Sequence, residues 1–255
     1  MKNVLLICFK EFKSYFVSPI AYAVMALFAL IFGITFYSST SQMVQLTFRA
    51  QMMGQSQPVS VNDMIIRPLL GFVGTILLFV VPMITMRLVA EEKKTGTIEL
   101  LLTSPVRDIE IIVGKWLAAF LLYICMLGMS VLNIGMLFLW SKPDLRPVLV
   151  AYLGLLLEGA CLLALGTFIS AMCRNQIVAA GATFFFSLVL YLLNYYTEFL
   201  TGAFWQGLNY LSIYTHTETF NRGVIDSKDV IYYITMTFLF LFLTHRTMES
   251  LRWRA

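Results

Sequence analysis

The residues of this chain that could do chemistry are few and scattered. Glu158 stands alone inside the apolar run VLVAYLGLLLEGACLLALGTFI (148–169). An ionised acid at that depth costs about 2.5–3.5 kcal/mol on insertion scales. Such a residue either belongs to a translocation or gating path, or hydrogen-bonds between helices; both readings stand. His216 and Glu218 are too few for a metal site. Cys8, Cys125, Cys161 and Cys173 have no spacing that suggests a disulfide framework and read as small packed thiols. GxxxxGK[ST], HExxH, GxSxG and CxxC are all missing from the sequence. The chain therefore shows no catalytic residue, no cofactor-binding residue and no metal site by these signatures. Whatever energy drives it comes from a partner or an ion gradient.

The other informative stretch is EEKKTGTIELLLTSP, residues 91–105. Glu91, Glu92, Lys93 and Lys94 extend the preceding apolar helix, with lysines in its last turn facing the negative dipole end. Thr95 leads to Gly96, which suits a left-handed helix end. Thr97 can cap a new helix with Glu99 in its first turn. Ser104-Pro105 stops that helix, because the residue before proline is pushed out of the α region, and starts the next one. Ile98, Leu101 and Leu102 share one side of this short helix, with Leu100 and Thr103 towards the other. Its leucines either rest on the bilayer surface or insert into a groove of a partner protein, and the spacing alone leaves both open.

The elements that must hold these residues are transmembrane. Hydrophobic residues make up 59% of 255 and charged residues 13%, against about 25% charge in an ordinary soluble domain. Apolar runs long enough to cross a hydrocarbon core of about 30 Å fall near 19–39, 67–90, 114–139, 147–172, 176–197 and 229–245. The fold class is an all-α polytopic membrane protein, one domain over 1–255. Residues 2–17 form an interfacial helix rather than a cleavable signal, with Leu5, Cys8, Phe9, Phe12 and Phe16 on one stripe. Ser18-Pro19 then starts the first span. Placing both termini in the cytoplasm puts twelve of the 18 lysines and arginines there, as the positive-inside rule asks. The net charge of +4 then needs no nucleic acid, since anionic lipid headgroups account for it. Pro82 is an ordinary kink inside the second span.

The run EEKKTGTIELLLTSPV, the interfacial helix, the six spans and SAMCRNQIVAAG (170–181) together resemble the type 2 ABC export permeases, and within them most closely the gliding-motility permeases of the GldF kind. The resemblance covers nearly the whole chain. It implies a cytoplasmic coupling helix at 97–104 that docks on a separate ATP-binding subunit, which would carry the ATP and Mg. The docking residues would be Thr97, Ile98, Glu99, Leu100, Leu101, Leu102, Thr103, Ser104 and Pro105, supported by Glu91, Glu92, Thr95 and Gly96. It further implies a second permease copy or paralogue, a bacterial cytoplasmic membrane, and room for an accessory membrane or periplasmic subunit.

Residues 199–228 are aromatic and moderately polar, and read as an extracytoplasmic re-entrant or surface segment, with Asp226-Ser227 as caps for the last helix. Residues 41–64 carry no interpretable motif. Spans nearly free of charge favour an exporter of amphipathic or lipid-linked cargo. An ion-coupled secondary transporter using Glu158 is the alternative, although such proteins usually show related halves and none are visible here. A membrane enzyme would need polar residues clustered at one depth, and the sequence offers none.

Overall fold

The computed structural model describes residues 2–53, 60–98, 106–141, 143–197 and 202–252. Every regular element among them is helical, and six helices are long and apolar enough to cross a membrane. The chain is an all-α polytopic membrane protein.

Helix α1 (Lys2–Val17) leads into α2 (Pro19–Met52). Ser18 caps α2, its Oγ accepting from the Ile20 amide at 3.4 Å, and Pro19 supplies the fixed φ of the first turn. α2 runs well past the expected end near 39, because residues 40–52 contain neither Gly nor Pro. Their hydroxyls bond back along the helix, Thr40 Oγ1 to the Phe36 carbonyl and Thr47 Oγ1 to that of Met43, both at 2.8 Å.

A π-helical turn (Asn62–Ile66) opens α3 (Arg67–Thr85). The expectation of an unbroken helix from the second span into Lys94 does not hold. Residues 86–89 form a turn before α4 (Ala90–Thr95). The cause lies on another helix, where Ser170 Oγ accepts from the amides of both Val89 (3.2 Å) and Ala90 (3.1 Å). α5 (Asp108–Trp140) begins after Ser104-Pro105 rather than at it, with Asp108 and Glu110 on its positive end and Glu110 Oε2 reaching back to the Arg107 amide at 3.4 Å. α6 (Leu145–Met172) and α7 (Gln176–Thr197) follow closely. Two short helices, α8 (Ala203–Tyr210) and α9 (Ile213–Asn221), make a hairpin before α10 (Ser227–Arg252). Asp226 Oδ1 accepts from the Lys228 amide at 3.1 Å, as a cap should.

The core sits around α3 and α6, whose apolar windows are 67% and 61% buried, whereas α2 and α7 bury only 22% and 17% of theirs. Three glycines let α6 be approached closely: the Phe220 side chain fills the place of a Cβ on Gly154, Tyr123 that on Gly159, and Thr85 that on Gly166. α10 packs along α6 over much of its length, with Phe168 stacked on Phe240. α1 lies against the start of α5, where Ile7 meets Gly114. Of the stripe expected on α1, Cys8 is buried and Phe12 and Phe16 pack against the core, while Leu5 and Phe9 are exposed. Burial raises the Cys8 thiol above its usual range, so it stays a neutral packed group. Among the cysteines, Cys125 departs from the packed pattern and is exposed.

Candidate functional site

Two polar regions occupy opposite ends of the bundle: an elbow around α4 and a hairpin end around α9.

At the elbow, α4 is tied, directly or through one side chain, to four other helices within a few residues. Lys115 of α5 is the centre of one knot. Its side chain is 4% exposed, and its ammonium donates to Glu92 Oε1 at 2.7 Å and to Glu11 Oε1 of α1 at 3.0 Å. Two carboxylates around one buried cation satisfy a charge that would otherwise be costly to desolvate. Arg87 makes the second knot. Its guanidinium grips Glu91 in a fork (2.8 and 3.2 Å) and reaches Ser18 Oγ at 2.7 Å, joining the elbow to the start of α2. The Lys93 ammonium donates to the Ala171 carbonyl, adding α6 beside the Ser170 bonds already described. Tyr15 of α1 donates to the Ile84 carbonyl at 3.1 Å, and burial pushes its hydroxyl well above the usual range, which keeps it a donor. Glu91, Glu92 and Thr95 therefore stand together at the joint, and Gly96 closes α4 at φ +75°, a conformation that favours glycine. Thr95 Oγ1 and Thr97 Oγ1 are 2.9 Å apart, and Ile98 packs against the core. Of the helix expected at 97–104, Thr97 and Ile98 are described; Glu99, Leu100, Leu101, Leu102, Thr103, Ser104 and Pro105 lie outside the described residues.

At the opposite end, α9 packs against α3, α6 and α7 and buries Ile213, His216, Thr217 and Phe220. Between α3, α7 and α9 lies an open cavity of about 510 Å³. Its walls include Arg67, Thr75, Tyr191, Tyr214 and Glu218, with Gly74 and Thr217 also part of the lining. Thr75 Oγ1 and Tyr191 Oη are 2.9 Å apart, and Tyr191 meets Tyr214 edge to face. Glu158 stands directly behind Gly74: a Cβ on that glycine would lie 3.0 and 3.2 Å from the two carboxylate oxygens. Glu158 is fully buried with the Thr217 side chain beside it, and neither of its oxygens makes a hydrogen bond of ordinary length within the described residues. The structure thus brings Glu158 to a cavity wall but gives it no basic partner.

Sequence reasoning missed Lys115, Glu11, His216 and Asp229 as interacting residues. Lys115 carried a usable signal, a lysine set among the buried positions Ile111, Ile112, Ala118 and Ala119. The pairing of His216 Nδ1 with Asp229 Oδ1 at 2.7 Å joins two helices across a turn, and no periodicity announces it. Among the described residues no group of three or more His, Cys, Asp and Glu could hold a metal.

A family model described as "ABC-2 family transporter protein" matches residues 5–244. A search of curated proteins gives no match.

Proposed function

Because the chain belongs to the ABC-2 transporter family, and so is a membrane-spanning permease subunit with ATPase activity supplied by another chain, we propose that it is an export permease driven through its elbow. In this reading residues 97–105 dock on a separate ATP-binding subunit that carries the ATP and Mg. Two permease chains, identical or paralogous, span the bacterial cytoplasmic membrane with both termini in the cytoplasm. The cargo is amphipathic or lipid-linked and leaves outwards. The run EEKKTGTIELLLTSP supports a place in a gliding-motility or secretion system, with an accessory membrane or periplasmic subunit. α1 then lies at the cytoplasmic interface with Leu5, Leu6 and Phe9 towards lipid, and α8–α9 form a re-entrant hairpin on the far side.

The observation that carries this reading is the clamping of α4. A push delivered beyond Gly96 meets no slack, because Glu91, Glu92 and Lys93 are fastened to α2, α1, α5 and α6. A loose loop would dissipate the same push. The test is a pull-down of the tagged chain from native membranes beside a Leu101→Asp/Leu102→Asp variant. Recovery of an ATPase with a phosphate-binding loop by the wild type alone is the expected result. A folded wild-type chain that brings down no such protein would sink the proposal.

One observation favours a second reading. The fully buried Glu158 beside the cavity, with no basic partner among the described residues, suits an ion-coupled transporter. Proton-dependent uptake or efflux in vesicles without ATP, abolished by Glu158→Gln, would establish that alternative; its absence supports the ATP-driven reading.

A further inference from the structure

α2 is longer than a membrane needs. Its 34 residues measure about 51 Å, against a hydrocarbon core of about 30 Å. Even at a tilt of about 40° the helix rises about 39 Å. Its apolar run starts at Pro19, and Ser38, Ser39, Thr40, Ser41, Gln42 and Gln45 follow, so the surplus lies at the far end. Apolar side chains exposed within the span meet lipid. Those exposed on the projecting end meet water.

The projecting end nevertheless carries them, in an ordered stripe. Leu30, Ile34, Tyr37, Val44 and Phe48 are each 60% exposed or more. With Ser41 between them they are spaced four, three, four, three and four residues apart. That is the repeat of the two contact positions in a coiled coil, and it keeps all six within roughly 80° around the helix. Ser41 Oγ bonds back to the Ser38 carbonyl at 2.9 Å, so it leaves no polar demand on the stripe. The opposite face of α2 is already used, with Phe28 and Phe32 buried and Phe36 and Met43 packed against the core. The stripe therefore crosses the span and continues into the outer aqueous phase as one uncovered seam.

Charge indicates what covers it. The positions flanking the seam are Ile31, Gly33, Ser38, Thr40, Gln45, Thr47 and Met52, and none is charged. The one charged residue of α2, Arg49, points roughly 100° away from Phe48. A neutral seam offers nothing to a partner that carries charge. It does suit its own copy, because in a two-fold pair each side chain meets itself and any flanking charge would be repelled. Two copies inserted in the same orientation have their α2 helices parallel and in register, with Val44 facing Val44 and Phe48 facing Phe48.

We propose that the exposed seam of α2, Leu30 to Phe48, is the surface on which a second copy of this chain docks, the two helices forming a parallel coiled coil that continues beyond the membrane. This deepens the two-chain reading given above and rests on it; it selects identical chains and names where they meet.

The test uses single-cysteine variants of the full chain in native membranes, each co-expressed with two different tags and mildly oxidised. The unsubstituted chain, with its own four cysteines, gives the background. Ser41→Cys, Val44→Cys and Phe48→Cys should form a disulfide dimer bearing both tags roughly fivefold or more above Gln42→Cys, Leu46→Cys and Arg49→Cys, since the bond needs β-carbons about 4 Å apart. Equal yields at all six positions, no disulfide above background, or a seam cysteine joined to a different protein overturns the proposal. In the Phe48→Cys chain, Val44→Glu in both copies should abolish the disulfide, and Val44→Glu in one copy with Val44→Lys in the other should restore it. A loss that opposite charges do not restore also overturns it. Co-purification of the two tags without oxidation separates this proposal from the reading beneath it. Tags that co-purify without a seam disulfide leave a pair that meets elsewhere. Tags that never co-purify overturn identical pairing and leave the paralogous form of the two-chain reading.

Discussion

The elbow and the hairpin end solve the same problem, fixing a short helix against long ones, with different chemistry. At the elbow the fasteners are charged and long: Lys115, Arg87 and Lys93 reach across to α1, α2, α4 and α6. At the hairpin end they are mostly short and aromatic: Tyr233 Oη shares a 2.7 Å bond with Thr217 and donates to the Ile213 carbonyl at 3.1 Å, while Tyr232 donates to the Leu211 carbonyl at 2.8 Å. Flexible cations can follow a moving partner through a range of positions, whereas packed rings hold one arrangement or lose it. The difference suits an elbow that moves with its contacts intact and a hairpin that is either seated or not.

The sharpest way to break the contrast is Lys115→Met. It leaves Glu11 and Glu92 facing each other with no cation between them, and removing one partner of a buried charge cluster typically costs about 3–5 kcal/mol. Thermal unfolding in mild detergent should show a large drop, with most of it recovered in a Lys115→Met/Glu11→Gln/Glu92→Gln triple variant. Failure of the triple variant to recover would mean that the lysine acts through packing instead.

A smaller effect is expected from Gly154→Ala at the other end. The added methyl meets Phe220, and overpacking of this kind costs about 1–3 kcal/mol. Because Phe220 belongs to α9, limited proteolysis should cut the 203–226 region faster while the elbow stays protected. Equal loosening of both ends would argue that they are one cooperative unit.

Tyr233→Phe keeps the ring and removes two neutral hydrogen bonds, each worth about 0.5–1.5 kcal/mol. The melting temperature should fall modestly and in the same way at low and high salt. Arg222→Gln sits at the bottom of the scale. Its exposed pairing with Glu218 should contribute no more than about 1 kcal/mol, and even that should vanish in high salt.

The spans were easy to read because each needs only a run of apolar side chains, a property of consecutive residues. Gly96, Ser18-Pro19 and Asp226 were legible for a related reason: caps and stops are local chemistry. The break at 86–89 was hidden because its cause, the Ser170 hydroxyl, lies on α6 about eighty residues away. A still longer separation, 104 residues, hides Lys115 from Glu11, and the turn between α9 and α10 hides His216 from Asp229. The length of α2 does not follow from polarity, because a helix ends where its backbone conformation changes and not where its side chains turn polar. Leucines 100 to 102 carry the docking proposal on sequence and family grounds alone.

The three close approaches on α6 have a mechanical consequence. At about 100° per residue, Gly159 and Gly166 lie within roughly 20° of each other around the helix, and Gly154 about 130° away from them. Tyr123, Thr85 and Phe220 therefore enter α6 like keys cut on two sides of a shaft. Turning the helix about its own axis would drive at least one key into backbone, so torque has nowhere to go. What α6 can still do is tip or slide as a single rod, carrying whatever displacement reaches Ser170 at one end to Gly154 at the other.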